Sequence, residues 1–204
     1  MKSLRTWIIT IIVMIFVYEA YIVCGYAVPS IANFTGISID IIRAVYNDAE
    51  KLLFAVLVTG FLMVGLLVKR QDADSGIVQW IGRLLISYGA IELGWQVVRL
   101  VAYHSSWLIW PWLTACESSL TALLMCASLI LIGYYYRCRD MLGLAIGYAV
   151  TDLIFVGHFV WSVCAAPTPA SYHAYFSIFA TAALILKLIF LFKWAKLSKP
   201  QYKA

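Results

Sequence analysis

IVQWIGRLLISYGAIELGWQVVRLVAY, residues 77–103, is the stretch whose reading decides the fold. It is long enough as a helix to cross a hydrocarbon core of about 30 Å, which takes roughly 20 residues at 1.5 Å each. Its polar residues are not scattered. Tyr88, Glu92, Gln96, Arg99 and Tyr103 follow one another at steps of four, four, three and four, so they line one helical face. A polar stripe on an otherwise apolar spanning helix cannot face lipid, so it points into a bundle of other helices.

Other apolar runs of spanning length lie on both sides. They cover about residues 7–27 and 52–68 before this stretch, and 110–136, 141–165 and 172–194 after it. None alternates as a barrel strand does, and only helices and closed barrels satisfy their backbone groups in lipid. The expected class is all-α, a polytopic bundle of six transmembrane helices forming one domain over residues 1–204. Composition agrees: 64% of residues are apolar and 12% charged, against about 45–50% and about 25% in a soluble domain.

Loop charge predicts orientation, because Lys and Arg of short loops stay on the cytoplasmic side. Lys2 and Arg5 precede the first run, Lys69 and Arg70 follow the second, and Arg137 and Arg139 follow the fourth. Lys193, Lys196, Lys199 and Lys203 follow the sixth, whereas the opposite ends carry only Arg43, Lys51 and Arg99. Both termini are therefore expected in the cytoplasm, in a plasma membrane or bacterial inner membrane. Trp107, Trp110, Trp112 and Tyr103 would mark the outer rim, and Tyr134, Tyr135, Tyr136 and Trp194 the inner one. The net charge of +5 resides at helix ends and not in a solvated patch, which speaks against nucleic acid as a partner.

The long first loop contains Pro29 and Gly36, followed by Ser38 at the head of an amphipathic segment over about 38–51. That segment either lies on the outer interface or extends the second helix into water. The first 27 residues resemble a signal peptide in Lys2, Arg5 and Gly25-Tyr26-Ala27, but the apolar run is long for that and Glu19 interrupts it, so a retained helix is expected. Asn33-Phe34-Thr35 is a glycosylation triplet on the expected outer side, with no meaning in a bacterium.

Ionisable residues inside the spans carry the functional reading, since each costs at least about 2.5–3.5 kcal/mol to insert and demands a partner, water or purpose. Glu19, Glu92 and Asp152 fall near the middle of their helices and, with Tyr88 and Gln96, are the expected ion- or substrate-binding groups. Arg99 and Glu117 fall at similar depth on consecutive helices and are expected to form an ion pair, a gate or charge partner to which His158 is added. Lys187 is expected to snorkel toward the inner interface, which, with six spans and not seven, argues against a retinal Schiff base. Gly143, Gly147 and Gly157 suggest a close approach of the fifth helix to a neighbour.

No metal or cofactor is expected. His104, His158 and His173 have no ligand spacing, and Cys24, Cys116, Cys126, Cys138 and Cys164 form no CxxC pair, so most are expected as buried free thiols. Walker, GxSxG and HExxH motifs are missing, which disfavours an enzyme. Two functions lead, ahead of a third, an intramembrane enzyme or redox protein using the outer His and Cys. One is a small transporter or channel-like protein for protons, cations or a small polar solute, as a monomer or homo-oligomer. The other is a non-transporting subunit whose buried charges pair with other membrane proteins.

Overall fold

The computed structural model describes residues 4–71, 74–105, 111–164 and 170–198, with side chains undescribed at 105, 164 and 170–176. Lys2, Trp107, Trp110, Lys199, Lys203 and the side chains of Cys164 and His173 lie outside what is described, as does the loop before Ala170. The elements are α1 (Leu4–Cys24), a 3-10 turn (Gly25–Ala27), α2 (Val28–Thr35), α3 (Ile39–Gln71), α4 (Gly76–Ser105), α5 (Pro111–Tyr135), α6 (Arg139–Cys164) and α7 (Ala170–Leu197). Among the described residues, six helical stretches are long and apolar enough to cross a membrane, α1 and α2 forming one of them. The chain is all-α and fits a multi-pass membrane protein.

Two boundaries differ from the sequence expectation. Pro29 does not open a loop: it occupies the first turn of α2, where a missing N–H costs nothing. The chain reverses instead at Gly36, whose φ of 68° caps α2 in the left-handed region that glycine adopts without strain. Ser38 then heads α3, its Oγ accepting from the Asp40 N–H at 3.3 Å. The 38–51 segment is the first part of the 33-residue α3, so of its two expected placements the helical extension is the one adopted.

The helices close into a ring in chain order. α3 packs on α1 and α4, α5 on α4 and α6, and α7 on α6 and back on α1. An even number of spans lets every neighbour run antiparallel, including the pair that closes the ring. One end of the ring gathers Lys69, Arg70, Arg137, Arg139, Lys193 and Lys196 and is called the basic end below. There Lys193 Nζ donates to Asp140 Oδ2 at 3.0 Å, and Gln79 Nε2 donates to the Lys69 carbonyl at 2.9 Å.

Burial is uneven along the ring axis. Toward the basic end the interior is a solid apolar plug, with Ile8, Phe61, Ile81, Met125, Leu129, Ile132, Phe190, Leu191 and Trp194 all fully buried. Trp194 therefore belongs to this plug and not to the interfacial rim expected of it, because α7 turns its indole inward beside Leu4 and Val68. The outer surface is apolar instead: Phe16, Val56, Val97, Leu120, Val150 and Ile185 are all exposed, as lipid contact requires. Cys126 is buried, whereas Cys24 and Cys116 are exposed and Cys138 is half-buried, so the expectation of mostly buried thiols holds only for the first.

In lipid the helices gain nothing from hydrophobic exclusion against each other, and close backbone contact takes its place. That contact is made by α3 with α4, and by Gly133 of α5 with the α6 backbone, where an added Cβ would lie 3.0 Å from Leu142 Cα. A Cβ on Gly82 would lie 2.9 Å from the Gly65 carbonyl oxygen, and one on Gly89 would lie 2.9 Å from Leu62 Cβ. The glycines singled out on α6 do not serve this purpose, since Gly143 and Gly157 face open space and Gly147 has only ordinary contact with Leu186. Gly82→Ala is expected to destabilise the protein by about 1–3 kcal/mol through overpacking, read as a lowered melting temperature in detergent. Gly94→Ala, which meets nothing within 4 Å, should leave that temperature unchanged or raise it slightly.

Candidate functional site

Above the plug the side chains stop meeting across the ring and enclose a cavity of about 410 Å³. Its wall takes one ionisable residue or more from five of the six spans: Glu19 of α1, Glu92 and Arg99 of α4, Glu117 of α5, Asp152 of α6 and Lys187 of α7. The α3 wall is apolar, with Phe54. Helical periodicity alone puts these groups inside, because each faces away from the lipid-exposed positions of its own helix.

The stripe read on α4 divides in the structure. Tyr88 and Glu92 face the central cavity. Arg99 faces both it and a second cavity of about 290 Å³, which is lined also by Gln96, Tyr18, Asn47, Glu50, Lys51 and Phe54. Arg99 and Phe54 thus stand between the two chambers. Tyr103 lies beyond them, its ring 4.2 Å from the Lys51 ammonium.

Arg99 and Glu117 meet, with Nη2 3.8 Å from Oε2. This is a loose ion pair, and Arg99 also lies 5.8 Å from the Trp95 ring. Glu117 further accepts from Ser118 Oγ at 3.4 Å. The Glu92 carboxyl group, on a residue only 8% exposed, shares the chamber wall with Glu117 and Thr121. Thr121 donates its own hydroxyl proton to the Glu117 carbonyl at 3.0 Å, which leaves its oxygen free to accept.

On the facing wall Tyr148 donates its hydroxyl to Asp152 Oδ2 at 3.0 Å, one helical turn away as their spacing implies. Lys187 does not snorkel outward as its depth suggests. Its ammonium turns into the ring, 5.3 Å from the Phe61 centroid and 5.9 Å from that of Tyr148, with Asp152 and Glu92 as its foremost charge partners. The cation therefore rests on the roof of the plug, where two rings supply their negative faces.

His158 is the one member of the expected set that lines neither chamber. Of the outer chamber, sequence reading has Gln96 and Arg99 in its expected set but not Tyr18, Asn47 or Glu50. Tyr18 donates to Glu50 Oε1 at 3.2 Å, His104 meets Asp48 at 3.2 Å, and Tyr46 and Tyr21 stack at 4.6 Å while each donates to the other's backbone carbonyl. These pairs join α1, α3 and α4. The signal that would have found them is the unbroken period of α3 through residue 39, hidden by treating 38–51 as a loop segment. Among the described residues, no three His, Cys, Asp or Glu side chains converge on a metal-sized point.

Comparison with protein-family models, curated proteins and solved structures finds no match. The site is therefore read from its own geometry. A Thr121→Cys variant, in a background whose native cysteines are replaced by serine, is expected to react with a membrane-impermeant thiol reagent added opposite the basic end and not with reagent at the basic end. Leu129→Cys, inside the plug, should react from neither side.

Proposed function

We propose that this protein is a small membrane carrier that moves a proton, a cation or a small polar solute through the centre of the helix ring, with the basic end in the cytoplasm. The observation that supports this reading most strongly is a charged cavity held between an apolar plug and an outer chamber. Charges placed only for packing pair off directly and leave no room between them. Here, the loose Arg99–Glu117 pair aside, they stand around about 410 Å³, within the range of small-ligand sites. The plug favours a carrier that alternates its access over an open channel, since a continuous apolar block several turns deep stops water and ions.

In this reading Glu92, Asp152 and Glu19 bind the transported species, and Glu92 and Glu117 hold the exchangeable proton. Tyr88 and Tyr148 shape the wall. Arg99, pinned loosely by Glu117 and flanked by Phe54, controls passage between the chambers. A positive charge at that point also repels unbound cations, so Glu117 must be ionised for one to pass.

Proteoliposomes containing a pH-reporting dye test this under an imposed membrane potential with a panel of ions and small solutes. Wild type should show flux, and Glu92→Gln should reduce it by at least about tenfold while the variant stays folded and membrane-inserted. An absence of flux from both folded proteins would favour a non-transporting membrane subunit, for which co-purification with one partner is the corresponding check.

A further inference from the structure

The chemistry of the two chambers narrows what the site takes. Four carboxyl groups, of Glu19, Glu92, Glu117 and Asp152, face only Arg99 and Lys187 in the central cavity. Carboxyl groups thus outnumber basic groups four to two on this wall, and an acid left without a basic partner at this depth in a membrane attracts a cation.

The wall does not suit a metal cation. Alkaline-earth ions are held by several carboxylate and carbonyl oxygens around one point, and the acids here sit on different helices without any three converging among the described residues, so the wall offers no carboxylate cage. Aromatic rings share the wall with them, Phe54, Tyr88, Tyr148 and Phe155 all being on the lining. Rings and dispersed carboxylates recognise the diffuse charge of an alkylammonium group. The cavity already shows this: the ammonium of Lys187 lies over the Phe61 and Tyr148 rings.

A second feature points to a ligand independently of charge. Gln96 is 7% exposed, and its carboxamide makes no side-chain hydrogen bond among the described residues. It lines the outer chamber instead. Its amide opens onto that chamber, where a polar group seated beside it can take the place of water as its partner. Gln96 is one turn from Glu92 and from Arg99 on the same helix face, so one small molecule can reach past Phe54 from one chamber to the other.

We propose that the ligand of this site is a small organic ammonium compound, its nitrogen lodged among Glu92, Asp152 and the rings of Tyr88 and Tyr148 and its hydroxyl or carbonyl end hydrogen-bonded to Gln96. This rests on the carrier reading above and names its substrate class. Lys187 then acts as a tethered stand-in for the ligand's ammonium, holding Asp152 and Tyr148 in place while the site is empty.

The test uses the full chain in proteoliposomes with radiolabelled ethanolamine and choline, set against rubidium, sodium and glucose. Saturable uptake of ethanolamine or choline is expected, reduced at least about tenfold in Asp152→Asn. Gln96→Leu should raise the half-saturating ethanolamine concentration about fivefold or more, as loss of one hydrogen bond to a buried partner does. Choline and ethanolamine should also raise the melting temperature of the detergent-solubilised wild type, a readout independent of either variant's folding. Saturable uptake of rubidium, sodium or glucose without either amine overturns the ammonium assignment and leaves the carrier reading standing. No uptake of any probe by folded protein, together with no thermal stabilisation, overturns both.

Discussion

Everything in this fold follows from the cost of leaving an ionised side chain in hydrocarbon. Each of the spans α1, α4, α5, α6 and α7 carries at least one such group at mid-depth, and each has only one direction in which to put it. A bundle with a filled core would bury these groups against each other. A ring leaves them a shared interior, and an even number of antiparallel members closes it without an odd partner. The lipid face is then free to be almost wholly apolar, as the exposed Val, Leu, Ile and Phe of every helix show.

The same constraint explains why the interior is asymmetric. Near the basic end the inward positions are Ile, Leu, Val, Met, Phe and Trp, which pack solidly because they have nothing to solvate. Midway along, the inward positions become acidic, basic and hydroxylic, and the packing opens. Phe61, Tyr88 and Tyr148 form the boundary: Phe61 and Tyr88 meet edge to face at 5.5 Å, and Lys187 lies above Phe61. Aromatic rings suit such a floor because one surface satisfies both the apolar plug below and the cation above.

Much of this was legible in the sequence. Length and apolar content gave the spans, and the four-four-three-four spacing from Tyr88 to Tyr103 gave the inward face of α4. Depth matching brought Arg99 to Glu117. What stayed hidden depends on rotation about a helix axis or on a neighbour's identity. Lys187 has a side chain long enough to reach either the interface or the ring, and only the rings of Phe61 and Tyr148 decide between them. Trp194 looks interfacial by residue type, yet its helix turns it into the core. Gly65 and Gly82 lie in different helices, so their apposition has no signature along the chain, whereas the nearby glycines of α6 look more suggestive and touch little. Pro29 suggested a loop because a proline in a first helical turn cannot be told from a breaker until the turn after it is seen.

The backbone contact of Gly65 with Gly82 has a mechanical consequence. Helices that touch through side chains can slide by changing rotamers, but two main chains pressed together have no such freedom. α3 and α4 therefore travel as one stiff plank, and Phe54, Phe61, Tyr88, Glu92 and Arg99 keep their mutual distances whatever the remaining helices do. Two of the six helices of the chamber wall are thus locked together, and any rocking that exposes the interior to the basic end has its fulcrum on the seams that α1 and α7 make with their neighbours.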